Sequence, residues 1–229
     1  MSKQTGKIGF SIREIPPCTA SAEVFEKLKN FGTPALSDGL NRFNTVAPEI
    51  KPILDSISIA GPAFTVRLRP GDNLMLHKAI GLAKAGDIIV VDTCGSNNNS
   101  IMGDLMASSA FKKGIGGIVI DGGIRDIQDL REKQFPVFYK FITPAVGDKD
   151  GPGEIGEPIC IGGVPVLPGD YIVGDVNGVV VIPPMYLDKI IEGTEKKLAY
   201  EKKRAQAIEE GVVVNPAIDE ALRKAGVIE

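Results

Sequence analysis

Apolar and polar positions alternate along this chain with two periods, and the switches between them divide it into elements. From Ala20 to Phe31 (ASAEVFEKLKNF) apolar residues return at helical spacing and stop at Gly32. Thr33-Pro34 then opens a short helical turn, PALSDGL. Residues 57–68 alternate imperfectly around Gly61-Pro62, the pattern of a strand with a bend. Pro70-Gly71 is a turn, and Asp72 or Asn73 caps a helix running through residue 84 and ending at Gly86. IIVVDT (88–93) is a short apolar strand, CGSNNNSIM (94–102) a polar loop, GDLMASSAFKK (103–113) a helix and GIVID (117–121) a buried strand. A short helix over 127–133 and a strand, PVFYK (136–140), follow.

Between 141 and 184 the texture changes. Gly and Pro dominate, and short strand candidates (EPICIG, VPVL, YIVGDV, GVVVIP) are separated by turns such as Pro168-Gly169-Asp170 and Asn177-Gly178, which predicts hairpins. Asp170 and Asp175 read as turn residues. A long helix over 186–210 and a last one over 216–225 complete the chain. No linker-like stretch divides it. The pattern predicts one α/β domain over 1–185, with a mixed sheet, and a C-terminal helical arm over 186–229. On the arm, Leu187, Ile191, Thr194, Leu198, Glu201, Ala205 and Ile208 follow a 4–3 spacing on one face. Glu201 interrupts that stripe. Either the stripe is half exposed and Glu201 reaches solvent, or the arm packs on another subunit and carries Glu201 to a polar site.

Composition narrows the class. The 229 residues are 43% hydrophobic, enough for a substantial core, and the net charge of −3 comes from mixed acids and bases. No basic tract points to nucleic acid or an anionic membrane. Apolar runs such as GVVVIPP (178–184) are too short to span a bilayer, and the start MSKQTGKIGF lacks the apolar core of a signal peptide. A cytoplasmic protein is expected. Cys18, Cys94 and Cys160 form neither a disulfide framework nor a zinc motif, and the lone His77 excludes a His-rich metal site.

The chemistry concentrates in one segment. Twenty residues separate Asp104 from Arg125-Asp126. The helix between them travels roughly 15 Å and the strand roughly 16 Å. If the strand runs back antiparallel to the helix, Arg125 and Asp126 return beside Asp104 and the helix's free N–H groups. Asp104 is then either an ordinary first-turn acid or part of a site. The N–H groups of Leu105 and Met106 can cradle a carboxylate. Gly122 and Gly123 permit tight turns and close ligand approach. Asp126, helped through water by Asp104, suits a hard divalent cation, and Arg125 suits an enolate or carboxylate oxygen. Arg125-Asp126 as a plain surface ion pair is the bland alternative. His77 has an ordinary structural reading. Cys94 lacks an evident base. Asn97, Asn98 and Asn99 can bind a polar substrate tail or simply serve turn chemistry. No P-loop or dinucleotide fingerprint is present.

The segments GDNLMLHKA (71–79), GDLMASSAFKKGIGGIVIDGGIRD (103–126) and GPGEIGEPICIGGVPVLPGDYIVGDVNGVVVIP (151–183) resemble the family of 4-hydroxy-4-methyl-2-oxoglutarate aldolase and the regulator of ribonuclease activity A. Many of its members carry the label demethylmenaquinone methyltransferase. The resemblance runs through nearly the whole chain, including GKIGFSIREI and the arm. It implies an αββα sandwich assembled as trimers, or as hexamers of two trimers. It implies a class II pyruvate aldolase dependent on Mg²⁺ or Mn²⁺, with oxaloacetate decarboxylation as a side reaction. Asp126 would ligate the metal, Asp104 would orient water on it, and Arg125 would stabilise the enolate. Leu105 and Met106 would cradle the pyruvate carboxylate, with Gly103 lining it. Glu201, or less closely Glu195, would be an acid supplied by the neighbouring subunit. Regulator members often lack the complete acidic signature, which this chain has. A non-catalytic regulator that binds a protein partner is the alternative.

Overall fold

The computed structural model describes residues 7–229; the beginning of the MSKQTGKIGF segment, residues 1–6, lies outside the described residues. The elements run β1 (Phe10–Ile12), α1 (Ala22–Phe31), α2 (Thr33–Gly39), β2 (Lys51–Pro52), β3 (Ser58–Leu68), α3 (Leu74–Leu82) and β4 (Ile88–Asp92). They continue with β5 (Ser100–Met102), α4 (Asp104–Lys113), β6 (Gly117–Asp121), β7 (Gly123–Ile124), α5 (Ile127–Glu132), β8 (Val137–Tyr139), β9 (Phe141–Ile142) and β10 (Gly153–Ile155). β11 (Ile159–Ile161), β12 (Val164–Val166), β13 (Tyr171–Asp175) and β14 (Gly178–Ile182) precede α6 (Leu187–Glu209) and α7 (Pro216–Lys224).

The centre is parallel: β3, β4, β6 and β8 lie side by side. Their runs of Val and Ile are nearly continuous because both faces are covered. Val90, Val91, Ile118, Val119 and Ile120 are fully buried. Antiparallel strands flank this centre: β10 on β3, β2 on β8, and β13 with β14 beyond the first half of β3. Pro62 divides β3, whose pairing with β13 ends there while the pairing with β4 begins at Ala63. Proline has no N–H to donate, so it suits the point where a strand changes partners. α3 and α4 pack together, α3 also against β3, β4 and β10; α1, α2 and α6 lie over β13 and β14 around Leu28, Leu36, Tyr171 and Ile190. The mixed α/β class with a long C-terminal helix is as expected.

Two features depart from the sequence pattern. The polar loop 94–102 ends in a strand, β5, and with β7 and β9 it forms a separate three-stranded parallel sheet. β1 and β10 were not anticipated either; both sit in Gly-rich surroundings that mask their alternation. Within the chain the α6 stripe is half exposed, as the first of its two readings has it. Ile190 and Thr194 are buried, Leu187 and Ile191 partly so, and from Tyr200 onward the helix is largely exposed. Only its first half rests on α2 and its neighbours. Asp170 does hold a turn, accepting the Leu167 N–H at 2.8 Å. Asp175 does more: it accepts the N–H and hydroxyl of Thr33, both at 2.7 Å, at the start of α2.

Candidate functional site

The small sheet is an extension of the large one. β4, β6 and β8 each leave the main sheet at their C-terminal ends and resume as β5, β7 and β9. At the step, Thr93 donates its hydroxyl to the Asp121 carbonyl at 2.6 Å, and a Cβ on Gly122 would press into the Thr93 side chain. Gly123 likewise has no room for a Cβ between Asn99 and Phe141. These glycines let three strands cross over side by side. The C-terminal ends of parallel strands are where α/β folds place ligands.

Here β5 and β7 bring the sequence-distant residues together. The Arg125 N–H bonds the Met102 carbonyl at 3.0 Å. Just beyond, the Asp104 N–H reaches Asp126 Oδ2 at 3.3 Å, and Arg125 Nε lies 3.3 Å from the same oxygen. Asp126 sits at φ 59°, ψ 44°, a left-handed conformation that Asp tolerates better than most residues and that turns its carboxylate back toward α4. Gly103 makes room for it: a Cβ there would collide with Asp126 Oδ2 and crowd Arg125 Nε. α4 has no side-chain cap, so the N–H groups of Leu105 and Met106 at its first turn face no side-chain acceptor. Leu105 is exposed and Met106 buried. A cavity of about 340 Å³ opens here, walled by Arg125, Asp126, Ile127, Ile142, Thr143 and Pro144.

Among the described residues no donor reaches Asp126 Oδ1, and neither Asp104 carboxylate oxygen accepts a hydrogen bond. Among the described residues Lys133 Nζ, at 3.9 Å, is the only cation paired with Asp104. Among the described residues no three His, Cys, Asp or Glu side chains cluster as a metal site. Two carboxylates with unclaimed oxygens fit a hard cation that keeps most of its waters, and do not fit a metal needing a full protein cage.

A second set of charges lies one step below. In register across the main sheet stand Glu154, Arg67, Asp92 and Asp121. Here every acid is engaged. Asp92 accepts the N–H groups of Cys94 and Cys160, Asp121 accepts the Gly162 N–H at 2.8 Å and Lys140 Nζ at 3.0 Å, and Arg67 pairs with Glu154 at 2.5 Å. The row fastens the β11–β12 hairpin over the sheet. It was not anticipated, although IIVVD and GIVID each end in Asp.

Other candidates lie apart. Glu201 is half exposed, 3.5 Å from Lys197, which in turn holds Asp38 at 2.9 Å. Glu195 pairs with Lys27 at 2.7 Å. His77 lies on the outer face of α3, its imidazole held below the usual range by partial burial and then by Lys149. Burial, then the Asp92 charge, push the Cys94 thiol up, the wrong direction for a nucleophile. Asn99 spends its amide on the Val146 carbonyl at 3.0 Å, tying the loop to the segment after β9.

The family model described as RraA-like: Aldolase/RraA matches residues 33–181, which include every residue of this constellation. The chain belongs to the RraA-like family. A protein of Halalkalibacterium halodurans named putative 4-hydroxy-4-methyl-2-oxoglutarate aldolase is 38% identical over 194 residues, 85% of this chain and 92% of its own length. The 4-hydroxy-4-methyl-2-oxoglutarate aldolase of Thermus thermophilus is 34% identical over 54% of this chain and 75% of its own. Among solved structures, Streptomyces coelicolor RraAS2, described as an unusual member of the RNase ES inhibitor RraA family, superposes with a TM-score of 0.75 at 26% identity. That match covers 83% of this chain and 99% of that one. These three relatives carry names of two kinds, aldolase and ribonuclease inhibitor family. Among the described residues no helix is long and apolar enough to cross a membrane.

Proposed function

We propose that this chain is a divalent-metal-dependent lyase that cleaves a 4-hydroxy-2-oxo acid, of the 4-hydroxy-4-methyl-2-oxoglutarate or 4-carboxy-4-hydroxy-2-oxoadipate type, to pyruvate and a carbonyl compound. The observation that carries the reading is the junction of Asp104, Arg125 and Asp126 at the uncapped start of α4. Asp126, with Asp104 close by, would hold Mg²⁺ or Mn²⁺, whose contribution is to polarise the 2-oxo group. The substrate carboxylate would lie against the N–H groups of Leu105 and Met106, and the missing Cβ of Gly103 leaves room for Asp126 and Arg125 beside them. A water oriented by Asp104 takes the proton of the C4 hydroxyl. The C3–C4 bond breaks, C4 leaves as a carbonyl, and its electron pair forms the pyruvate enolate. Arg125 faces the negative charge as it develops on the enolate oxygen, the kind of preorganised contact that contributes most to such rates. The proton taken from the C4 hydroxyl, returned through that water to C3, gives pyruvate. Loss of CO₂ from oxaloacetate leaves the same enolate, so decarboxylation is an expected side activity.

The arm completes the reading. Its exposed Tyr200, Ile208, Val213 and Ile218 suit packing on a second copy in a trimer or hexamer, and Glu201 would enter that copy's site as an acid. Glu195 is the weaker choice: Lys27 holds it at 2.7 Å, closer than the 3.5 Å between Glu201 and Lys197, and it matches the resemblance less closely.

A screen of 4-hydroxy-2-oxo acids for pyruvate release, with Mg²⁺ and with chelator, tests the reading. Release that depends on metal supports it, and equal release in chelator contradicts it. The names of inhibitor relatives support a second reading, a regulator that binds a ribonuclease without turnover. No turnover together with ribonuclease capture favours that one.

A further inference from the structure

The constellation contains one cation that the sequence reading passed over. α5 starts beside Asp126 and ends at Lys133, which is its C-terminal cap. Seven positions are two helical turns, so Lys133 returns to the Asp126 side of the helix. From there its ammonium reaches Asp104 Oδ2 at 3.9 Å. Both side chains are about one-third exposed, at 33% and 31%. Neither has another charged or hydrogen-bonding side-chain partner among the described residues. The Lys133 N–H is spent on the Asp129 carbonyl at 3.1 Å, so the cap itself does not need the side chain. An exposed pair of this length contributes little to stability, roughly 0–1 kcal/mol. Its consequence is geometric: Asp104 is otherwise free to rotate away from Asp126.

We propose that Lys133 is a positioning residue that holds the Asp104 carboxylate in the site. One short helix would then set both acids, Asp126 directly at its first end and Asp104 through the ammonium at its last. The inference rests on the lyase reading and adds to it a residue outside the Asp104, Arg125-Asp126 signature.

The experiment is a cycle of Lys133→Met, Lys133→Arg, Asp104→Asn and the Asp104→Asn/Lys133→Met double variant, assayed for Mg²⁺-dependent pyruvate release on the full chain, with thermal melting alongside. Lys133→Met is expected to lower kcat about tenfold or more, the usual effect of removing a partner that orients a site carboxylate. KM should stay within about twofold and the melting temperature should not move, since the pair is exposed. Lys133→Arg should recover most of the rate. In the Asp104→Asn background Lys133→Met should cost nothing further, because the residue it positions is gone. Full activity in Lys133→Met, or an undiminished loss in the Asp104→Asn background, overturns the inference while leaving the lyase reading standing. An inactive wild-type chain overturns both.

Discussion

The chain sets two pairs of aspartates along the same two strand paths, and they differ in what is left over. Asp92 and Asp121 are register partners at the ends of β4 and β6, and their oxygens are claimed by the N–H groups of Cys94, Cys160 and Gly162 and by Lys140. Asp104 and Asp126 stand one step beyond, past β5 and β7, joined by one backbone N–H to Asp126 Oδ2; among the described residues Asp126 Oδ1 and both Asp104 carboxylate oxygens accept no hydrogen bond. A saturated carboxylate is a fastener. An unsaturated one at the mouth of a cavity, beside a guanidinium and an uncapped helix, is a place for something else to bind. Proximity and charge alone do not separate the two pairs; the count of free acceptors does.

Substitutions can break that contrast. The largest effect should come from Asp126→Asn, with pyruvate release falling by about 100-fold or more while melting temperature is nearly unchanged, since removing a group that stabilises developing charge typically costs 10²–10³. Arg125→Ala should lose about as much, mainly in kcat. Gly103→Ala should follow: the new methyl displaces the Asp126 carboxylate, and misplacement on the order of 1 Å costs about 100-fold. Asp121→Ala should do the reverse, lowering stability by about 1–3 kcal/mol through the freed Gly162 N–H. Its activity per folded molecule should stay near that of the parent. Chemical denaturation beside steady-state kinetics reads both columns.

The smallest effect is one of pH. Asp72 is fully buried, and burial alone would raise its carboxyl. The N–H groups of Leu74, Asp150 and Gly151, with Arg69, outweigh that and hold it below its ordinary 3.8. A depressed carboxyl stabilises the fold fully above its unfolded value and loses that contribution as pH falls through the folded one. Melting temperature should therefore drop below about pH 4, and Asp72→Asn should flatten the drop.

Much of this was legible along the chain. β4, α4 and β6 announce themselves through Val and Ile runs and helical spacing, and the helix-and-strand return that predicted Asp104 beside Arg125-Asp126 depends only on their lengths. The second sheet was not legible. β5, β7 and β9 are two or three residues long, too short to show any period, and their pairing is with each other across distant sequence. The Lys133–Asp104 pair was not anticipated because it depends on where α5 ends. The α6 stripe left two readings open because helical periodicity says which residues share a face and not whether anything covers it; within the chain only the first half is covered.

One side-by-side assay reaches the centre of the account: Mg²⁺-dependent pyruvate release from oxaloacetate by the parent chain, Asp126→Asn and Asp121→Asn, normalised to folded protein. The account predicts metal-dependent turnover in the parent, its loss in Asp126→Asn and its retention in Asp121→Asn. Turnover that survives in Asp126→Asn, or that vanishes in folded Asp121→Asn alone, would contradict it.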